Sequence, residues 1–298
     1  MYARKEGKRG AGIIVLTSEM VSKAEGRVYR LEGVKPSLAA RFLSRVYGKD
    51  PRAVKLILRA SEGISFVIPV RGLAERYGYL FREYARDEGA ALELLRKDPY
   101  IFMTRVRGMV LSDAGLDFSN STEGYCTLPP EDPDLSARRI RARVRELTGK
   151  DVAVVIADTE WKLDKFGTVD VAIGSSGIQP VSRNFGARDL YGKPKFGGLD
   201  DLTDLVAAAA NLLFGQTDEA VPVVIIRGLR YERSERGVRD VLYPEGAMRG
   251  AIFMILLEYV RLKAVLLLLR LLLLFRRASK GLGSPADPAP GAQLARSC

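Results

Sequence analysis

The chain has 298 residues, 47% of them hydrophobic and 28% charged, with a formal net charge of +11 from 47 Lys+Arg against 36 Asp+Glu. That length suffices for one large domain or two modest ones with a substantial core, and the composition excludes a wholly disordered chain. There is no histidine, and Cys126 and Cys298 are the two cysteines, which excludes imidazole bases, Ser-His triads, His-ligated metals, a disulfide framework and a cysteine-rich zinc site.

In chain order, the first apolar run, "GAGIIVLTSEM" (10–20), reads as a buried strand ending in polar residues. "PSLAARFLSRVYG" (36–48) and "PRAVKLILRASEG" (51–63) carry helical periodicity. Residues 71–104 read as one or two charge-rich amphipathic helices, an added lid or interface element with no chemistry of its own. "GMVLSDAG" (108–115) repeats the strand design. "SARRIRARVREL" (136–147) is a helix with Ile140, Val144 and Leu147 as its buried stripe and arginines around the remaining face. That face reads as solvated rather than as a nucleic-acid surface, because no stacking aromatics or groove-reading motif accompany it. "DVAVVIADT" (151–159), "VDVAIGSSG" (169–177) and "VPVVIIRG" (221–228) are further strands. Before the last of them, "DDLTDLVAAAANLLFG" (200–215) puts Leu202, Leu205, Val206, Ala209 and Leu213 on one helical face and stops at Gly215. Alternating strands and helices give an α/β (α+β) class, with mixed sheets and flanking helices.

Three segments follow from composition: a main region over 1–246, with the helical insertion 71–104; an apolar helix over 247–278; and a Pro/Gly/Ala tail over 279–298, expected to be disordered. Residues 251–275 are strongly apolar but interrupted by Glu258, Arg261, Lys263 and Arg270. Three readings compete, in this order: a core or dimer-interface helix, a membrane-surface anchor, and a transmembrane helix. No secretory signal peptide is legible at the N-terminus, and two cysteines fit a reducing cytoplasm. The positive charge suits phosphate-bearing partners, acidic metabolites and anionic membranes without singling one out.

Asp117 in "SDAGLDFSNS", Asp158 in "VVIADT" and Asp170 in "GTVDVAIG" sit beside apolar runs. In open α/β sheets ligands collect beyond strand ends, so these aspartates are candidates to meet in space. Clustered carboxylates repel one another unless a divalent cation makes them ligands, and without histidine that cation is held by oxygen, as Mg2+, Mn2+ or Ca2+ is. The plainer reading is that each aspartate caps a helix or turns a loop. Lys23 in "VSKAEGR", at the end of the first strand, either neutralises phosphate or is an ordinary surface lysine beside a turn. No P-loop and no GxGxxG following a strand occurs.

Taken together, "VSKAEGRV", "KDPRAVKLILRAS", "AGLDFSNS", "LPPEDPDLSARRIR", "VVIADT" with "GTVDVAIG", "ARDLYGK" and "LLFGQTDEAVPVVIIRGL" resemble the coenzyme F420-0:L-glutamate ligase (gamma-glutamyl ligase) family in order and spacing over roughly 13–230, interrupted at 71–104. The resemblance implies an enzyme using GTP and Mg2+ or Mn2+, with K+ as a further ion, to activate a carboxylate of the deazaflavin coenzyme precursor as an acyl phosphate. The amine of L-glutamate then forms a γ-linked amide. It implies Asp117, Asp158, Thr159 and Gln216 as metal ligands, and Lys23, Asn120 and the stretch Phe214, Gly215, Gln216, Thr217, Asp218, Glu219, Ala220 and Val221 as the nucleotide site. Asp117, Asp158 and Asp170 become the catalytic candidates, Asp170 without an assigned role, and a homodimer is implied. Phosphoryl transfer relies on positioning and charge neutralisation, so it needs no histidine.

The departures from the family pattern cluster at that site. Lys162 and Lys165 stand where the family has arginines, Val169 where it has threonine, Glu19 where it has lysine, and Leu205 where it has an acidic residue; most of an N-terminal strand and loop has no counterpart. Lysine keeps charge but loses the bidentate fork. A catalytically weakened paralogue that binds nucleotide or deazaflavin is therefore the alternative, and a membrane-associated assembly protein docking through 251–275 a third.

Overall fold

A computed structural model describes residues 12–162, 165–244 and 246–281. Expectations for the N-terminal segment before residue 12 and for the tail beyond 281 lie outside the described residues. The chain divides into two units between Leu242 and Tyr243.

The first unit opens with β1 (Ile13–Thr17), α1 (Ser18–Ala24) and β2 (Val28–Arg30), followed by α2 (Leu38–Tyr47), α3 (Pro51–Ala60) and β3 (Gly63–Ile68). Three helices come next, α4 (Val70–Arg76), α5 (Gly78–Tyr84) and α6 (Glu88–Lys97), then β4 (Ile101–Val106), β5 (Met109–Ser112) and β6 (Tyr125–Thr127). α7 (Pro133–Thr148), β7 (Ala153–Trp161), β8 (Thr168–Ser176), α8 (Leu202–Phe214) and β9 (Val223–Ile226) complete it. The insertion is thus three helices rather than one or two, and its last residues belong to β4. Lys23 is on α1, not at a strand end. β3 begins at Gly63, where the helical pattern was expected to continue; α3 stops at Ala60 because Ser61 turns to extended backbone.

The main sheet has the order β8-β7-β1-β9, with β1 parallel to β7 and the two outer pairings antiparallel. Strand periodicity splits its side chains between two layers. Ile13, Val15, Ala153 and Val155 pack with Val206, Ala207, Ala210 and Phe214 of α8. Ile14, Leu16, Val154 and Ile156 face Val21 of α1 and Ala137, Ile140 and Val144 of α7. Two expected faces are corrected here. Leu147 is exposed at the end of α7, and α8 buries Thr203, Val206, Ala207, Ala210 and Phe214 while Leu205 and Leu213 are exposed. The run of alanines gave α8 two apolar faces, and the one with Val206, Ala207, Ala210 and Phe214 packs on the sheet. Arg141 of α7 is paired with Asp151 at 3.0 Å and Glu235 at 2.9 Å.

Smaller sheets flank this core. β3, β4 and β5 form an antiparallel sheet whose Phe102 packs with Ala40, Val54 and Ile57 of α2 and α3, and β2 pairs with β6. Asp134 of α7 is buried and accepts the N–H groups of Ser175, Val238 and Arg239, tying the helix to β8 and to the chain beyond β9.

The second unit holds one long helix, α9 (Ala247–Gly281), with exposed apolar side chains on every side, including Leu256, Val260, Leu267 and Leu271. Among the described residues no helix is long and apolar enough to cross a membrane, which overturns the transmembrane reading of 251–275; the four interrupting charges leave no sufficiently apolar stretch.

Candidate functional site

Because β1 and β7 run parallel, their C-terminal ends open on the same edge of the sheet, with Thr17 beside Ala157. The antiparallel return of β8 sets Asp170 opposite Thr159. The end of α8, the loop after it and the turn after β5 close the other sides of a cleft of about 780 Å³. Lys23, Asp117, Asn120, Asp158, Thr159, Asp170, Phe214, Gly215, Gln216, Thr217, Asp218, Ala220 and Val221 all line it. Glu219 does not. Its carboxylate turns back to accept the Thr217 N–H at 2.9 Å, occupying the space a side chain at Gly215 would need. That N–H holds the Glu219 carboxyl below its ordinary range, so Glu219 shapes the loop.

The carboxylates differ in what they touch. Asp158 Oδ1 accepts from Ser18 Oγ at 2.9 Å and from the Thr159 N–H at 3.1 Å. Its Oδ2 is buried with no hydrogen-bond partner. Burial pushes the Asp158 carboxyl up to about 7; the charges of Glu160 and Asp117 add to the rise, and the Ser18 and Thr159 hydrogen bonds oppose it. Asp117 accepts from Ser119 N at 2.7 Å and Ser119 Oγ at 2.9 Å, and burial, reinforced by the charge of Glu19, raises its pKa too. Asp170 is buried and accepts from Thr159 Oγ1 and Asn211 Nδ2, both at 2.7 Å. Thr159 Oγ1 thereby spends its proton on Asp170 and keeps its lone pairs for an acceptor role, with the Gln216 amide 3.3 Å away.

These donors fit a hard divalent cation. All are oxygens, and Asp158 Oδ2 is an orphaned buried acceptor. Among the described residues no group of three His, Cys, Asp or Glu side chains forms a metal cage by itself.

Several residues that matter were not singled out for the site. Ser18 directs Asp158, Asn211 directs Asp170, and Gly115 makes the close approach possible. Ser18 follows an apolar run and Gly115 sits in the quoted "SDAGLDFSNS", but only the three-dimensional contact reveals their roles. A Cβ at Gly115, whose φ is +67°, would meet Pro129 Cγ at 2.3 Å and Asp158 Oδ2 at 3.1 Å. Gly115→Ala is expected to lower stability by about 1–3 kcal/mol and to weaken Mn2+ binding, checked by thermal melts and metal titration.

Fold and cleft together define an α/β protein whose candidate site is an acidic, histidine-free cleft at the strand ends of a mixed sheet. The chain belongs to the F420-0:gamma-glutamyl ligase family, whose model matches residues 9–228, and with it to the amide-forming ligases. The coenzyme F420:L-glutamate ligase of Methanopyrus kandleri is 40% identical over 221 residues, covering 74% of this chain and 76% of its own. That of Methanothermobacter thermautotrophicus is 37% identical over 235 residues, 78% and 81% of the two chains. That of Methanocaldococcus jannaschii is 33% identical over 233 residues, 78% and 82%.

Proposed function

We propose that this chain joins L-glutamate to a terminal carboxylate of the deazaflavin F420 precursor through a γ-linked amide, with GTP as co-substrate and Mg2+ or Mn2+ as cofactor. The observation that carries the reading is Asp158 Oδ2, buried without a partner in a cleft that Asp117, Thr159 and Gln216 also line. Those four residues would hold the cation, which would screen phosphate charge. Asp170 keeps Thr159 oriented, and Lys23, Asn120 and the chain from Phe214 to Val221 form the nucleotide side of the cleft. In the proposed reaction a carboxylate oxygen of the precursor attacks the γ-phosphorus of GTP, giving acyl phosphate and GDP. The glutamate nitrogen then forms the C–N bond as the C–O bond to phosphate breaks, and the ammonium proton passes to solvent.

A second reading, a binder with weakened turnover, is supported by Glu19, which pairs with Lys23 at 2.7 Å inside the cleft. Incubation with precursor, GTP, Mn2+ and L-glutamate separates the two. Release of GDP and phosphate with a mass gain of one glutamyl unit is the expected result; GTP binding without that gain leaves the binder, and no GTP binding removes both. The homodimer belongs to the same proposal, and light scattering at twice the chain mass is its expected signature.

A further inference from the structure

We infer that Glu19 is an internal competitor for the cleft lysine: its carboxylate takes the place on Lys23 that a substrate phosphate oxygen would occupy, and so sets how tightly phosphate-bearing substrates bind. This rests on the nucleotide reading of the cleft.

Glu19 and Lys23 lie one turn apart on α1, and both line the cleft. Lys23 Nζ stands 2.7 Å from Glu19 Oε1 and donates to the Asn120 carbonyl oxygen at 2.6 Å. The Asn120 contact spends one of the three donors of the ammonium, while the contact with Glu19 Oε1 is ionic and makes no hydrogen bond. The pair is sheltered on one side: the Glu19 side chain is 18% exposed with its Oε1 shut off from solvent, while the Lys23 side chain is 39% exposed.

The charge balance gives this contact its weight. Among the described residues lining the cleft, Glu19, Asp117, Asp158, Asp170 and Asp218 are acidic, and Lys23 is the one cation. With Glu19 on Lys23, an incoming polyphosphate meets carboxylates and an ammonium already neutralised. A phosphate reaches the remaining donors of Lys23 but gains its undivided charge only when Glu19 leaves. Glu19 also lies within electrostatic reach of Asp117, whose pKa it helps to raise.

Calorimetric titration of the full chain with Mn·GTP tests this, using the parent, Glu19→Gln, Lys23→Met and the double variant. Glu19→Gln is expected to bind about tenfold more tightly at low salt, to lower KM for GTP more than it changes kcat, and to lose the gain when Lys23 is methionine. Unchanged or weaker binding in Glu19→Gln, or a gain that survives Lys23→Met, overturns the inference. Glu19→Ala supplies the same comparison if the glutamine variant fails to fold. Mn·tripolyphosphate is the second probe. The same ordering with tripolyphosphate but no binding of GTP would defeat the GTP reading and keep Glu19 as the competitor; no binding of either probe by any of the four proteins overturns both.

Discussion

Asp158→Asn is expected to cut metal-dependent ligation by at least about 100-fold while leaving the metal-free protein as stable as the parent, or more stable, at pH 8. The two halves have one cause. Asp158 keeps one oxygen buried without a partner, and burial raises its carboxyl to about 7. The unfolded carboxyl titrates near 3.9, so between about pH 4 and pH 7 the folded chain binds the extra proton. Stability from this group is therefore fully present below about pH 4 and is lost as pH rises through 7, where the ionised side chain costs ~4 kcal/mol at most. Asparagine keeps the shape and removes that penalty. A divalent cation reverses the sign, since it favours the carboxylate. Mn2+ should then raise the melting temperature of the parent more at pH 8 than at pH 5, and barely move the variant. Retained turnover, or a variant that melts well below the parent at pH 8 without metal, would remove Asp158 from the metal site.

Asp158 was legible because its strand is legible. β1, β7 and β8 carry short apolar runs that fit strands buried in a sheet, and Asp158 and Asp170 stand out against them. Parallel pairing of β1 with β7 then brings Ser18 to Asp158 across 140 residues of chain. What periodicity could not show has physical reasons. β2 and β6 are three residues each, too short to express alternation. The α8 face was misplaced because leucine and alanine on that helix are both apolar, and the side facing the sheet is the one carrying Val206, Ala207, Ala210 and Phe214. Glu219 lies in a matched stretch, yet its carboxylate serves the loop, a difference set by the backbone at Gly215 and Ala220, both of positive φ. Charged residues buried for a structural purpose are the least legible of all, since nothing in "YGKDPR" separates Lys49 from a surface lysine.

Lys49→Met is expected to destabilise the protein by about 3–5 kcal/mol, the largest stability loss foreseen for a single substitution here. The Lys49 side chain is 3% exposed, and its ammonium donates to Asp98 at 2.5 Å, the Tyr100 carbonyl at 2.7 Å and Asp113 at 3.0 Å, using every donor it has. Asp98 is half exposed and contributes little; Asp113 is largely enclosed, and burial already raises its pKa against the pull of Lys49. Methionine fills the space but leaves that carboxylate without its counterion, so Asp113 must take up a proton or draw in water. The damage should reach the cleft. Asp113, Ala114 and Gly115 are three successive residues of positive φ, held by Asp113 Oδ1 on the Phe102 N–H and by the Ala114 N–H on Thr104 Oγ1. This turn presses Gly115 toward Asp158 and leads directly to Asp117. Left-handed backbone at Asp113 and Ala114 persists only while its surroundings over-determine it. Denaturant unfolding should therefore show the loss in Lys49→Met and partial recovery in Lys49→Met with Asp113→Asn, where no charge is stranded. Metal titration of the single variant should show weakened Mn2+ binding, although Lys49 does not line the cleft. A cost below about 1 kcal/mol, or no recovery in the double variant, would mean that the turn is anchored by its backbone hydrogen bonds and not by the buried ammonium.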